Sequence, residues 1–353
     1  MVKSKSGRSE PSADLSAKKV NLRELAEHLG LSVATVSLVM NRSPAAKSIP
    51  QKTQLRVRAA ARELNYRPSA MARMLRQQRT FTIGVIVPEI SEGYAALVLS
   101  GIEDHLLQEG YFYFVVSHRY KTDLVEEYPG LLQQRGVEGL IFVNTAYSSG
   151  ISVPAVAISG HRHVEGVSNI TLNHTRAAHL ALEYLLKEGH GKIAFIKGQA
   201  FSSDTDVRWK AVRGAAQSLG LTIEEKLVVQ LESEVPTSQP GYEAGRRLLE
   251  TKQPFTAIFS FNDISAIGAI RALREAGRRV PEDISVIGFD DIHSASFQNP
   301  SLTTIRQPLR AMGVSAAETL LKRINAGPKE DYPRSIVAEP ELIVRESSGK
   351  AAN

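Results

Sequence analysis

The sequence predicts a small all-α helix-turn-helix head followed by an α/β body of two lobes, each a parallel sheet flanked by helices. Two short helical patterns that meet at Gly30 predict the head. After Phe81, apolar runs alternate with helical patterns, which is typical of buried parallel strands joined by right-handed crossovers. A chain of 353 residues is long for a single core, so more than one domain is expected.

The charge is divided unevenly between these two parts. Residues 1–80 contain 16 Lys/Arg and 5 Asp/Glu, whereas the remaining residues contain 27 and 32. A basic segment on a mildly acidic body is the electrostatic footprint of a DNA-binding head, although charge alone also allows a solvated basic tail. Residues 1–18 are rich in Ser and Lys and lack an apolar stretch, which predicts a disordered basic arm rather than a secretory signal.

The head is predicted over residues 19–66. Leu22, Leu25, Ala26 and Leu29 recur at helical spacing and form one apolar stripe. Gly30 then permits the left-handed backbone of a tight turn. The first helix therefore ends at this glycine, and a second helix begins directly after it.

Ser32 can cap the second helix through its hydroxyl group. In that helix Val36, Val39 and Met40 are expected to pack inward, and the side chains that point outward are Val33, Ala34, Ser37 and Leu38. An ordinary αα-hairpin would show the same pattern. A third helix is predicted to bury Leu55, Val57, Ala60, Ala61 and Leu64, and a short segment over residues 69–76 follows Pro68.

Residues 20–76 resemble the lactose/galactose repressor family of bacterial transcription regulators. The residues that carry the resemblance are Ala26, Gly30, Ser32, Thr35, Val36, Ser37, Asn41, Leu64, Asn65, Tyr66, Pro68, Ala72 and Leu75. The resemblance implies that the second helix lies in the DNA major groove. The implied DNA-binding residues are Ser32, Val33, Ala34, Thr35, Ser37, Leu38, Asn41, Tyr66, Ala72, Arg73, Leu75 and Arg76.

Within this set, the resemblance places Thr35, Ser37 and Asn41 on phosphates and the apolar Val33, Ala34 and Leu38 at the positions that read bases. Apolar side chains can contact thymine methyl groups but cannot make bidentate hydrogen bonds to base edges. Phosphate contacts and DNA deformability are therefore expected to carry more of the specificity.

Residues 67–80 are predicted to form a hinge helix and linker between head and body. By the resemblance, the hinge helix lies in the minor groove and Leu75, beside Ala72, is a wedge between base pairs. Such a wedge offsets a few kcal/mol of unstacking with the added contacts of a kinked duplex. Arg73 and Arg76 would attract phosphates there, and an ordinary linker role for Leu75 is the alternative.

The body is predicted over residues 81–346, followed by a disordered tail over residues 347–353. The predicted strands lie at 81–87, 111–116, 139–143, 192–197, 257–260 and 284–289, and the predicted helices at 94–109, 124–134, 174–187, 207–219, 242–250 and 263–276. Ligands of parallel sheets bind beyond the carboxyl ends of strands. Polar residues follow several of these strands, among them Ser91, His118, Asn144, Asn262 and Asp290, and they would converge if the lobes face each other. Helix capping and loop roles are the alternative for Asn262 and Asp290.

The resemblance extends over this region, most densely over residues 261–291 and 300–307. It implies an effector domain similar to periplasmic sugar-binding proteins, in which Arg208, Asn262 and Asp290 hydrogen-bond the effector. The predicted effector-binding residues are Ser91, His118, Asn144, Arg208, Asn262, Phe289, Asp290 and Gln307. A sugar is the expected effector.

Other classes of protein are disfavoured by what the sequence lacks. There is no phosphate-binding loop, nucleophile elbow or zinc-protease motif, and His161 and His163 have no obvious third ligand, so no catalytic residue, metal or cofactor is predicted. No apolar run could span a membrane, and the absence of cysteine fits a reducing cytoplasm. The expectation is a cytoplasmic, homodimeric transcription repressor on near-palindromic DNA. A solute-binding protein of the same two-lobed fold is the alternative, and an enzyme on that scaffold is a second.

Overall fold

The structure is a computed structural model that describes residues 20–41, 43–66, 78–90, 93–146, 151–160, 164–232, 237–326 and 332–352. It consists of two compact units, a head over Met1–Arg79 and a body over Thr80–Asn353. The predicted arm over residues 1–18 and most of the predicted hinge and linker over residues 67–80 lie outside the described residues. Within the described ranges, no helix is long and apolar enough to cross a membrane.

The head is a small helical unit. Its elements are α1 (Leu22–Leu29), α2 (Val33–Met40), a 3₁₀ helix (Pro44–Ser48) and α3 (Gln51–Glu63). Asn21 caps α1 through its side chain, and the N–H of Gly30 bonds back to α1 at a φ of 62°, which confirms the predicted left-handed turn.

The core of the head joins all of its α-helices. Leu25, Val36 and Val57 are fully buried at its centre. The prediction for α3 is wrong at Leu55, whose side chain is 59% exposed. Leu55 lies two residues before Val57, and at about 100° per residue it therefore projects from nearly the opposite side of the helix.

The body begins with a first series of alternating strands and helices. In chain order these are β1 (Thr82–Val87), α4 (Gly93–Gln108), β2 (Phe112–Ser117), α5 (Thr122–Gln134), β3 (Gly139–Val143), β4 (Ala155–Ile158) and β5 (Val167–Leu172). A second series follows: α6 (His174–Lys187), β6 (Ile193–Lys197), α7 (Ser203–Ser218), β7 (Val228–Gln230), α8 (Gln239–Glu250), β8 (Ala257–Ser260), α9 (Asp263–Glu275), β9 (Ser285–Asp290), α10 (His293–Phe297) and β10 (Thr303–Arg306). The chain then forms α11 (Leu309–Ala326), β11 (Ser335–Ala338) and β12 (Glu341–Ile343).

These strands form two six-stranded sheets with related topology. The first lobe has the order β11-β5-β4-β3-β1-β2, and the second has β12-β10-β9-β8-β6-β7. Neighbouring strands are parallel except β10 and β12. Parallel order brings the carboxyl ends of the central strands of each sheet to one edge, so each lobe presents a row of strand ends.

Several elements of the body are missing from the sequence prediction: β4, β5, β7, β10, β11, β12, α10 and α11. The strands among them have three to six residues, and short apolar runs of this length carry little periodic signal. Helix α11 returns to the first lobe and packs on α4 at close range. A Cβ added to Gly101 would lie 2.0 Å from the carbonyl oxygen of Arg310. Small residues at this contact weaken the apolar pattern by which α11 could be recognised.

The segments that connect the lobes are bonded to each other. The amide of Asn173, between β5 and α6, donates to the carbonyl of Ala338 at 2.9 Å. Its side chain donates to the carboxylate of Glu339, between β11 and β12, at 3.1 Å. These bonds tie two of the interlobe segments into one ribbon.

The prediction of a disordered tail is wrong for residues 347–352. Ser347 is fully buried and donates from its Oγ to the carbonyl of Val286 at 2.6 Å, and the amide of Thr303 donates to that Oγ at 2.8 Å. The carbonyl of Gly349 lies 2.9 Å from Nε2 of His190. This polar segment is ordered because its serines complete hydrogen bonds inside the second lobe.

Candidate functional site

The outer face of α2 carries the side chains predicted to read bases. Val33 is 43% exposed, Ala34 is exposed and Leu38 is half-buried. The amide of Thr35 donates to Oγ of Ser32 at 3.1 Å, so Ser32 caps the helix as predicted. The exposed face is apolar at the start of the helix, which suits thymine methyl groups better than hydrogen-bonding base edges.

Polar groups stand at both ends of α2. The hydroxyl oxygens of Ser32 and Thr35 are 2.8 Å apart at its beginning. At its end, Nδ2 of Asn41 donates to the carbonyl and to Oγ of Ser37 at 2.9 and 3.1 Å. These bonds orient the side chains that are predicted to contact phosphates.

Tyr66 differs from the other predicted DNA-binding residues of the head. It is partly buried, packs against the head core, and its amide donates to the carbonyl of Ala61 at 2.8 Å. Ala72, Arg73, Leu75 and Arg76 lie outside the described residues. Exposed basic side chains on α3 were not predicted: Lys52 and Arg56 lie one turn apart on one side of the helix, and Arg58 and Arg62 lie one turn apart on another.

The body contains a cleft between its two lobes, and the empty space in it, including the part open to solvent, is about 880 Å³. The first lobe contributes Glu89, Tyr94, Tyr120 and Asn144, and the second contributes Gln199, Phe201, Asp204, Arg208, Phe261, Asn262 and Asp290. The cleft is a mixed surface of amides, carboxylates, one guanidinium and aromatic rings. Such a surface suits a small polar ligand.

Arg208 on α7 is the electrostatic centre of the cleft. Its Nη2 lies 3.1 Å from the carboxylate of Asp204 and 3.7 Å from that of Asp290, and the side chains of all three residues are buried. Its Nη1 donates to the carbonyl of Phe261 at 2.8 Å. The guanidinium also lies 4.1 Å from the ring centroid of Phe289 and 4.6 Å from that of Phe261. It is therefore held in one orientation by ion pairing and by ring contacts.

Asp290 ends β9 in an unusual backbone conformation, with a φ of 110°. Nε2 of Gln307 donates to its Oδ1 at 2.6 Å. Burial raises the pKa of Asp290 to about 6, although Arg208 and the Gln307 hydrogen bond lower it. Strained backbone and a raised carboxyl pKa together are typical of a functional position.

Buried polar atoms of this cluster retain hydrogen-bonding capacity. Nε of Arg208 and Oε1 of Gln307 are buried without a hydrogen-bond partner in the part of the chain that the structure describes. One atom is a donor and the other an acceptor.

The first lobe contributes aromatic rings, the amide of Asn144 and the carboxylate of Glu89 to the cleft. The ring centroids of Tyr120 and Phe201, from opposite lobes, are 4.5 Å apart. The amide of Tyr120 donates to Nδ1 of His118 at 3.1 Å, and Nε2 of His118 lies 3.1 Å from Oγ1 of Thr145. Because Nδ1 accepts, the neutral ring carries its proton on Nε2, and burial lowers the pKa of His118 in agreement with this state.

The predicted effector residues fall into distinct groups. Asn144, Arg208, Asn262 and Asp290 line the cleft, and Asn262 also caps α9 through a bond from the amide of Ser265 at 2.9 Å. The other described residues of the set, His118, Phe289 and Gln307, do not line it but contact residues that do. Ser91 lies outside the described residues, as do His161 and His163.

Five residues outside the predicted effector-binding set also line the cleft: Asp204, Tyr94, Tyr120, Phe201 and Phe261. One signal for Asp204 was present, since it precedes Arg208 by four residues on one helix. In the described ranges, no group of three or more His, Asp or Glu side chains is arranged to hold a metal ion.

Comparison with protein families assigns both units of the chain. The profile of bacterial regulatory proteins of the lacI family matches residues 21–69, and the profile of periplasmic binding protein-like domains matches residues 182–348. The chain is 34% identical over 337 residues to the HTH-type transcriptional repressor PurR of Haemophilus influenzae, in an alignment that covers 92% of this chain and 98% of that protein.

Solved structures match the whole architecture. The Lac repressor dimer bound to operator and the anti-inducer ONPF matches with a TM-score of 0.79 and 26% identity, over 94% of this chain and 99% of that one. The complex of the transcriptional regulator CelR with cellobiose matches with a TM-score of 0.68 and 28% identity, over 94% and 100%. These relatives confirm the predicted fold and the prediction of a DNA-binding transcription repressor rather than an enzyme. The chain belongs to the lacI family of bacterial regulatory proteins.

Proposed function

We propose that this repressor binds a near-palindromic operator as a homodimer in the cytoplasm, and that a sugar in the cleft between the lobes controls its operator affinity. The observation that carries the sugar proposal is the buried cluster of Arg208, Asp204, Asp290 and Gln307 at the cleft. It offers donors and acceptors side by side, which matches neighbouring hydroxyl groups. The complex of CelR with cellobiose, at 28% identity, supports the same class of effector.

The mechanism follows from linkage between the two lobes. A sugar that contacts Arg208 and Asp290 in one lobe and Asn144 or Tyr120 in the other favours the arrangement in which all of these contacts form. It changes operator affinity only if the DNA-bound state prefers one of the arrangements. Operator binding must then change sugar affinity by the same factor.

The outer edge of the first lobe supports the homodimer. Strand β2 is the last strand of its sheet, and Phe112 is 61% exposed on it while Phe114 is 38% exposed. The centroids of their rings are 5.4 Å apart. An apolar sheet edge is usually protected in a soluble protein, and a second copy of the chain would cover it.

On DNA, the head is proposed to use phosphate contacts from Thr35, Ser37 and Asn41 and thymine contacts from Val33, Ala34 and Leu38. The Leu75 wedge and the basic Arg73 and Arg76 remain part of this proposal. A Leu75→Ala variant should lose operator affinity and DNA bending while the head stays folded. Unchanged bending in a circular-permutation assay would rule out the wedge.

The central experiment measures DNA binding and effector response in the same protein. An operator is first selected from random duplexes, and binding is then followed by fluorescence anisotropy over a range of salt concentrations. Affinity should fall steeply with salt, because phosphate contacts release counterions. Binding that does not depend on salt would contradict the regulator function and would favour a solute-binding protein.

The effector arm of the experiment screens sugars by thermal shift, since a ligand of the native state raises its melting temperature. A sugar that stabilises the protein should also change operator affinity. In Asp290→Ala, the sugar response should disappear while operator binding without sugar persists. If Asp290→Ala responds like the wild type, Asp290 does not bind the effector.

A further inference from the structure

A second cavity lies behind the cleft, between α6, α7 and the sheet of the second lobe. The empty space there amounts to about 440 Å³, part of which is open to solvent. The walls are mostly apolar and include Phe195, Trp209, Val212 and Phe289. The cavity shares only Arg208 and Phe261 with the residues that line the cleft, so it is a separate space on the other side of these two side chains.

The charged side chains of this cavity have one sign. Lys197 and Arg208 line it, and no acidic side chain does so among the described residues. The charge of Arg208 is already matched by Asp204 and Asp290. Lys197 forms no ion pair with a described carboxylate, and its Nζ lies 5.4 Å from the ring centroid of Trp209. The unmatched charge at this cavity is therefore the ammonium group of Lys197.

One hydrogen-bond donor in the wall is also unused. The Arg208 side chain is 9% exposed, and its Nε has no hydrogen-bond partner although both of its Nη atoms are bonded. Buried donors in native proteins are normally bonded. An apolar space with a free ammonium at its wall and an unused guanidinium donor is complementary to an apolar anion.

We propose that this cavity is a second ligand site, which binds a small monocarboxylate with an apolar body, such as an aromatic acid. The apolar body packs against Trp209 and Val212, and the carboxylate pairs with Lys197. A ligand here contacts Phe289 and Arg208, which also position Asp290 of the cleft. Occupancy of the cavity is therefore linked to sugar binding, and the coupling acts equally in both directions.

The chain provides its own reporter for this site. Trp209 is the only tryptophan in the sequence, so tryptophan emission of the full-length protein reports on the cavity wall. Benzoate is titrated at constant ionic strength, and uncharged benzamide serves as the probe of the same shape. We expect a saturable change of emission with benzoate and binding of benzamide that is about tenfold weaker or more, the factor typical of one charged hydrogen bond.

Three variants test the assignment. Lys197→Met should weaken benzoate binding about tenfold or more. Lys192→Met is the matched control, because it removes the same charge from an exposed position five residues earlier and should bind benzoate like the wild type. Ala178→Val narrows the cavity wall and should abolish the saturable change.

Several results would overturn the proposal. These are no saturable change with benzoate, equal affinity for benzoate and benzamide, or wild-type affinity in Lys197→Met. Any of them would leave the cavity a packing defect of the core. If Ala178→Val does not fold, as judged by circular dichroism, the benzoate affinity of Lys197→Met alone decides whether the cavity is a ligand site. The outcome is independent of the sugar and operator assays, so either proposal can fail without the other.

Discussion

The two lobes of the body share a topology but differ in chemistry. Their sheets have the corresponding orders β2-β1-β3-β4-β5 and β7-β6-β8-β9-β10, so the same ends of both sheets reach the cleft. The first lobe brings Glu89, Tyr94, Tyr120 and Asn144 to the cleft, whereas the second brings the ion pairs of Arg208 with Asp204 and Asp290. The shared topology therefore places the cleft, and the second lobe supplies three of the four charged side chains described there, Asp204, Arg208 and Asp290 but not Glu89.

This difference in side chains gives the two lobes unequal roles at the cleft. The second lobe holds its polar groups in place by bonds within itself, as Gln307 does for Asp290. The first lobe reaches the second through an aromatic contact between Tyr120 and Phe201. A ligand would thus be anchored by the second lobe and covered by the first.

The largest effect is expected from Arg208→Met. The variant leaves two buried carboxylates, Asp204 and Asp290, without their counter-charge, which should cost about 3–5 kcal/mol of unfolding free energy near neutral pH. Urea unfolding measures this loss. Arg213→Met, at an exposed position of the same helix, should change stability by less than about 0.5 kcal/mol. Similar stabilities for the two variants would contradict a buried charge cluster.

The next effect is a pH dependence at Asp290. Its pKa is about 6 in the native state, against about 3.9 in an unfolded chain. The native state therefore holds this proton more tightly, and the contribution of Asp290 to stability falls as the pH rises between these values and is constant above them. Relative to Asp290→Asn, the wild type should lose about 2–3 kcal/mol over this range in urea unfolding.

Asp283 provides a control of opposite sign for that measurement. Its pKa is lowered to about 2 by hydrogen bonds from Arg279. The contribution of Asp283 to the free energy of unfolding should be present above about pH 4. It should be lost as the pH falls through the native-state pKa of Asp283. If Asp283→Asn and Asp290→Asn showed pH profiles of the same direction, burial would not be the cause of the Asp290 shift.

Glycine substitutions should lower the stability of the two lobes by similar amounts. In each lobe one pair of helices packs closely at a glycine: α4 and α11 in the first lobe, and α8 and α9 in the second. An added Cβ at Gly101 would lie 2.0 Å from the Arg310 carbonyl oxygen in the first lobe, and one at Gly268 would lie 2.0 Å from the Ser238 carbonyl oxygen in the second. Alanine at either position should cost about 1–3 kcal/mol in thermal or urea unfolding. Gly214→Ala has nothing within 4 Å of the new Cβ and should stabilise its helix by about 0.5–1 kcal/mol.

The smallest effect is expected from Tyr94→Phe in the first lobe. Its hydroxyl oxygen lies 3.0 Å from Oγ of Ser159, and burial raises its pKa above the usual range. Removing the hydroxyl should cost about 1 kcal/mol in urea unfolding, since the ring and its packing remain. If Tyr94→Phe lost as much unfolding free energy as Arg208→Met, the polar groups of the second lobe would not contribute more to stability than those of the first.

Elements with a strong local signal are those that the sequence predicts well. Gly139–Val143 and His174–Lys187 have the predicted bounds, because a continuous apolar run and a regular helical spacing are local properties. In β5 the polar Ser168 is buried while Val167 is only half-buried, and α11 packs through small residues, so neither has a clear apolar pattern in the sequence. Their places depend on neighbours that are distant in the sequence.

The residues of the cleft also divide into those that can be recognised from the sequence and those that depend on distant neighbours. Arg208, Asn262 and Asp290 are recognisable because their motifs resemble those of a known family. Tyr120 and Phe201 are not, since their proximity depends on a contact between lobes whose residues lie about eighty positions apart. The raised pKa of Asp290 depends on burial and on Arg208, Asp204 and Gln307, and none of these is a property of the strand to which Asp290 belongs.

The sequence by itself determined the helical head with its turn at Gly30, the alternation of strands and helices in the body, and the class of protein. These depend on periodicity, on capping and on residues within one helical turn of each other. The tertiary structure alone decided that Leu55 faces solvent, that Ser347 is buried, and that a charged cluster and an apolar cavity lie on the two sides of Arg208. Burial and charge compensation are set by groups from several elements, so they exist only once the chain has folded.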